Sequence, residues 1–129
     1  MTLGDCFFTP ETGKVRRHLW IVVSDAAKDA SVAIVNVSTK SNPVTSAGDR
    51  SCDIAAGEHR SISRESYLRC EEARLVEGAK LDHLVRAGKL TPTHAASADL
   101  VAKTQAALGE SRETRLEVKT LLRVQGFIT

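Results

Sequence analysis

Hydrophobic positions along this 129-residue chain follow two regimes. In the N-terminal part they come as short runs rich in β-branched residues, Leu19-Trp20-Ile21-Val22-Val23 and Val32-Ala33-Ile34-Val35-Asn36-Val37. Each run is too short for a buried helix and carries almost no polar alternation, so each predicts a strand covered on both faces. The polar loop Ser24 to Ser31 separates them. Shorter strands are predicted around Cys6-Phe7-Phe8 and Cys52-Asp53-Ile54. Turns are predicted after Pro10, where Gly13 tolerates positive φ, and at Ala56-Gly57. Residues 42–50 read as a polar loop. His59-Arg60-Ser61-Ile62-Ser63 alternates, with Ile62 as its inward residue. Between Tyr67 and Val76 the composition suits helix or strand. Leu68 and Cys70, then Ala73 and Leu75, fit a period of two broken by a bulge, which predicts strand.

Past Gly78 the period becomes helical. Leu81, Leu84 and Val85 predict a helix that stops near Gly88. Thr91-Pro92 predicts a second helix, with Thr as N-cap and Pro at the first position, running to Leu108 and Gly109. Ser111 predicts the cap of a third, from about Arg112 to Gln125, in which Val118, Leu121, Leu122 and Gln125 share a face and Gly126 ends the run. Strands followed by helices, with connections too short for crossovers, predict one α+β domain over 1–129. Its mainly antiparallel β part is 1–77 and its helical part 78–129.

Composition changes this picture little. A chain 42% hydrophobic and 26% charged is of the globular kind. No apolar run approaches the roughly 20 residues of a membrane span, and the N-terminus lacks a signal-peptide layout, so a cytoplasmic location without membrane contact is expected. Cys6, Cys52 and Cys70 are odd in number and contain no Cys-x-x-Cys pair, which argues against a disulfide framework and a zinc site and predicts buried thiols. No metal or cofactor is expected, since no ligand spacing, phosphate loop or dinucleotide fingerprint is present.

Charge adds more by its placement than by its sum. The net charge is only +2. Yet Lys14, Arg16, Arg17 and His18 cluster before the first apolar run, Lys40 follows the second, and His59, Arg60 and Arg64 cluster later. A site for an anionic substrate needs a cation to hold the charge and groups that can move protons. Arg17 suits the cation role, His18 and His59 the proton transfers, and Thr39 a hydrogen bond to a phosphate oxygen. The same residues also suit blander roles: a solvated turn guarding a sheet edge for Arg16 and Arg17, hydrogen-bonded structural histidines, and a strand end closed by Thr39. Trp20 and Tyr67 read as core or dimer-interface residues rather than base-stacking platforms.

One further pattern carries a resemblance. A strand after Gly4-Asp5 comes first, then a basic turn and Arg17-His18 before a strand ending at Ser24. A second apolar strand ends at Ser38-Thr39, and helices follow. This order resembles the MazF/PemK-type toxins of bacterial toxin–antitoxin systems, whose SH3-like barrel is shared with the gyrase poison CcdB. The resemblance covers roughly residues 3–76 and rests on short motifs. It implies an SH3-like antiparallel β-barrel of about five to seven strands with a C-terminal helical segment. It also implies a metal-independent endoribonuclease acting on single-stranded RNA, a homodimer, and a cognate antitoxin as partner. The family's catalytic Arg and Thr match Arg17 and Thr39, with Lys14, Arg16, Lys40, Arg60 and Arg64 as RNA-binding candidates. Where the family commonly has Arg-Pro, this chain has Arg17-His18. The alternative is a non-enzymatic barrel module that inhibits a protein target, as a gyrase poison does, or binds nucleic acid.

Overall fold

In the computed structural model, which describes residues 1–10, 18–39 and 52–129, the two apolar runs are neighbouring strands near the middle of one sheet. The elements are β1 (Cys6–Phe8), β2 (Leu19–Val22), β3 (Ser31–Thr39), β4 (Asp53–Ile54), β5 (Ser66–Glu77), α1 (Gly78–Arg86), β6 (Thr91–Thr93), α2 (Ala98–Glu110) and α3 (Leu116–Val124). The six strands lie in the order β4-β5-β3-β2-β1-β6, and every pairing is antiparallel. The sheet curls into a half-barrel, an α+β arrangement of the antiparallel kind expected from the sequence.

The runs lack polar alternation because both faces of β2 and β3 are covered. Leu19, Ile21, Ala33, Val35 and Val37 point into the larger core, which also holds Leu100 and Leu108 of α2 and Val118, Leu121 and Leu122 of α3. Trp20, Val22, Val32 and Ile34 point the other way, into a smaller core with Phe7, Leu81 and Leu90. Burial of this kind contributes roughly 1.5–3 kcal/mol for each large apolar side chain, which makes the strand period legible as a continuous run.

The bulge expected in β5 is present. Ile34 pairs with Arg74 and Asn36 with Arg69, so Val35 alone lies opposite the stretch from Cys70 to Ala73. Ion pairs flank the irregularity, Arg69 to Glu71 at 2.8 Å and Arg74 to Glu72 at 3.1 Å. All three cysteines are buried, and none of them forms a disulfide among the described residues. Burial pushes the Cys6 thiol up to about 11 and raises that of Cys52, which keeps both protonated and poorly nucleophilic.

Two helix starts differ from expectation. Thr91-Pro92-Thr93 is not a helix N-terminus but the edge strand β6, in which Pro92 pairs with Phe7. An edge position tolerates the missing N–H as readily as a first helical turn does, so the local signature fits both, and pairing with β1 decides. The helix begins at Ala98, where the Ser97 hydroxyl accepts the Leu100 N–H at 3.1 Å. His94, expected in that helix, follows β6 instead. In the second case, at the third helix, Ser111 caps a turn, accepting the Glu113 N–H at 3.2 Å, and α3 starts only at Leu116. Its end is as expected, with Gly126 at φ +82°. None of the helices among the described residues is long and apolar enough to cross a membrane.

Candidate functional site

Register across the sheet sets the floor of a cleft. Phe8 pairs with Leu19, and Leu19 with Val37, so three consecutive strands place one apolar row on the same face. Two residues further along β3, Thr39 lies on that face too, because side chains alternate. Thr39 pairs with Ser66, the first residue of β5. The wall opposite comes from the turn before β5, which contributes Ser61, Ile62, Ser63 and Arg64. Together these residues enclose a cleft of about 370 Å³.

Backbone geometry brings the turn to this place. Gly57, at φ +91°, reverses the chain after β4, and its N–H donates to the Ile62 carbonyl at 2.9 Å. The Ser66 hydroxyl donates to the Arg64 carbonyl at 3.0 Å, and the Ser61 and Thr93 hydroxyls lie 3.1 Å apart. Glu58 ties the start of the turn to α2: it accepts the Ala55 N–H at 2.6 Å and lies 3.0 Å from the Lys103 ammonium. Partial burial raises the affinity of the Glu58 carboxyl for a proton, but these two donors outweigh it and hold its pKa below the ordinary value.

Four hydroxyl-bearing residues, Thr39, Ser61, Ser63 and Ser66, line the cleft together with the basic residue Arg64. Among the described residues no carboxylate lines it. Hydroxyl donors and an arginine fork over an apolar floor suit an anionic oxygen such as that of a phosphodiester.

The candidates from the sequence are placed unequally. Thr39 is exposed and in the cleft, and Arg64 is in its wall. His18 is half-buried at the start of β2, beside Leu19, but does not itself line the cleft. Arg60 is exposed, with Nη1 3.4 Å from the His94 Nε2. His59 is buried, 4% exposed, and both ring nitrogens face backbone: Nε2 lies 2.6 Å from the His94 carbonyl and Nδ1 accepts the Ser61 N–H at 2.9 Å. Such a ring offers no free nitrogen to a substrate. Lys14, Arg16, Arg17 and Lys40 lie outside the described residues. Trp20 and Tyr67 are core residues, 8% exposed each. No group of three or more His, Cys, Asp or Glu side chains is arranged to hold a metal among the described residues.

The sequence reading passed over Ser61, Ser63 and Ser66. The first two flank an inward Ile62 in an alternating stretch, a pattern that suits solvent and a site equally. Ser66 becomes visible only through its pairing with Thr39.

No family model matches the sequence, and no curated protein matches it in sequence. Among solved structures the chain is similar to the crystal structure of MazE-MazF (Form-III) from Deinococcus radiodurans. The identity is 17% and the TM-score 0.53, over 84% of this chain and 92% of that one. A likeness at that identity is one of fold, and this chain has a MazF-like fold.

Proposed function

We propose that the protein is a toxin-like endoribonuclease that binds single-stranded RNA in the Thr39–Arg64 cleft and cleaves it without a metal, under the control of a cognate antitoxin. The observation that supports this most is the cleft itself: Thr39, chosen from the sequence, shares it with three further hydroxyls and an arginine, and no described carboxylate opposes an anion there. The solved MazE-MazF structure of the same fold supports the antitoxin partner, and a homodimer belongs to the same proposal.

In this reading Thr39 donates a hydrogen bond to a phosphate oxygen, Ser66 holds the Arg64 backbone through its own hydroxyl, and Arg64 with Arg60, Lys14, Arg16 and Lys40 holds the neighbouring phosphates. Arg17, bonded to His18 at the start of β2, stabilises the charge that builds on phosphorus as the 2′-oxygen attacks. His18 serves the proton transfers; His59, with both nitrogens on backbone, serves the shape of the site.

The test is cleavage of a mixed single-stranded RNA by the purified protein in the presence of a chelator. Cleavage is expected, with Thr39→Ala and Arg17→Ala each slower by at least about tenfold, the size of one lost charge-assisted contact. Arg64→Ala should raise KM more than it lowers kcat. Intact RNA beside a matched, active control nuclease would overturn the proposal.

One observation favours the competing module that inhibits a protein target by contact. Leu116 and Val124 are 75% and 78% exposed on one side of α3, over a groove of about 760 Å³ that also touches Leu75. Under that reading Leu116→Asp with Val124→Asp abolishes toxicity, whereas Arg17→Ala leaves it intact. Removing residues 110–129 cannot serve as the test, because Val118, Leu121 and Leu122 are buried in the main core.

A further inference from the structure

His59 stands out among the buried polar groups because it joins two segments distant in sequence. Its Nε2 lies 2.6 Å from the His94 carbonyl, which can only accept, so Nε2 carries the proton. Its Nδ1 then holds a lone pair, and the Ser61 N–H points at it over 2.9 Å. The two contacts require one tautomer of the neutral ring. They also connect the turn that walls the cleft to the strand-end segment whose Ala96 N–H donates to the Gly4 carbonyl at 2.8 Å. Through Ser61 the ring thus fixes where Ser61, Ser63 and Arg64 stand relative to Thr39.

We infer that neutral His59 is a positioning residue and a proton-sensitive latch: it holds the Ser61–Arg64 wall against the segment after β6, and protonation of the ring releases that wall. A second proton must go on Nδ1, where it meets the Ser61 N–H, so one donor faces another in a buried place. The charged and titratable groups around the ring do not rescue the cation. Arg60 approaches His94 on the outer side, at 3.4 Å between Nη1 and Nε2, and the Glu58 carboxylate is already engaged by Ala55 and Lys103. Arg64, in the wall itself, adds another positive charge. The latch operates on the cleft whatever ligand the cleft takes; only its effect on RNA rests on the proposed function.

The experiment follows the full-length wild-type protein by nitrogen-15 NMR as pH is lowered. The expected result is a pyrrole-like Nε2 and a pyridine-like Nδ1 in the His59 ring near neutral pH. The Ser61 to Arg64 amides should then shift together with the protonation of that ring. A protonated Nδ1 at neutral pH, or wall amides that ignore the titration of the ring, overturns the inference. Two variants separate the contacts. His59→Gln supplies an N–H toward His94 but no acceptor at the Nδ1 position, so its wall amides should be displaced from their wild-type positions and should not move further across the acid step. His59→Leu supplies neither contact and should displace them at every pH.

With single-stranded RNA as the probe, binding by the wild type should weaken by about tenfold across the titration of the ring, and binding by His59→Gln should not follow that step. Wild-type binding that is flat across the step overturns the inference. Should RNA neither bind nor be cut at any pH while the amides follow the ring, the endoribonuclease reading fails and the latch stands.

Discussion

At the scale of single residues, the cleft depends on how a few polar atoms near it are satisfied. Glu58 is the clearest case with a pH dependence. Its pKa is held below the ordinary value, so it contributes stability above the unfolded carboxylate's pKa, and that contribution is lost as pH falls through the lower folded value. Glu58→Gln should therefore destabilise the protein near neutral pH by at most about 1 kcal/mol, the range of a partly exposed pair. The difference from wild type should close as the pH drops below about 4. Denaturant melts of both proteins across that window check it; a gap that widens on acidification contradicts the assignment. His59 shows why residue roles were only half legible. The sequence marks it as a histidine in a basic cluster, which suits proton transfer. Its fate is decided by a carbonyl at His94, 35 residues away, and local sequence carries no trace of that contact.

At the scale of elements, legibility followed the range of the interactions. β2 and β3 could be read from composition because burial on both faces leaves its mark in every residue of the run. The bulge in β5 could be read because Leu68 and Cys70 keep one phase of the period and Ala73 and Leu75 another. The Thr91-Pro92 start could not, because a capping signature and an edge-strand signature coincide there, and only β1 distinguishes them. The β3–β5 ladder is the longest in the sheet and carries Thr39 at its end, so its packing should govern both stability and site. Leu68 is fully buried opposite Val37, which lies in the cleft floor. Leu68→Ala should cost about 2–5 kcal/mol, a large share of a domain's typical stability. A chemical melt that moves by less than about 1 kcal/mol would mean that this strand pair is not the structural centre described here.

At the scale of the whole molecule, the two cores differ in what covers them, and α3 is where burial stops. Val118, Leu121 and Leu122 seal the larger core, while Leu116 and Val124, on the same two-and-a-half turns, face out. The helix therefore has two apolar sides and only one is used by the fold. A side chain three-quarters exposed in the folded chain gains little from folding, so the fold alone gives these two positions no reason to be apolar. Exchanging both for serine should leave the melting free energy within about 0.5 kcal/mol of wild type, as for other surface sites. Leu122→Ala, one position from Leu121 but fully buried, should lose about 2–5 kcal/mol. Comparing the two variants by melting, and by growth after induced expression, separates stability from function on one helix. Unchanged stability with lost toxicity would assign the outer side to contact with another molecule. Destabilisation by the serine pair comparable with that of Leu122→Ala would show that the outer side belongs to the fold after all.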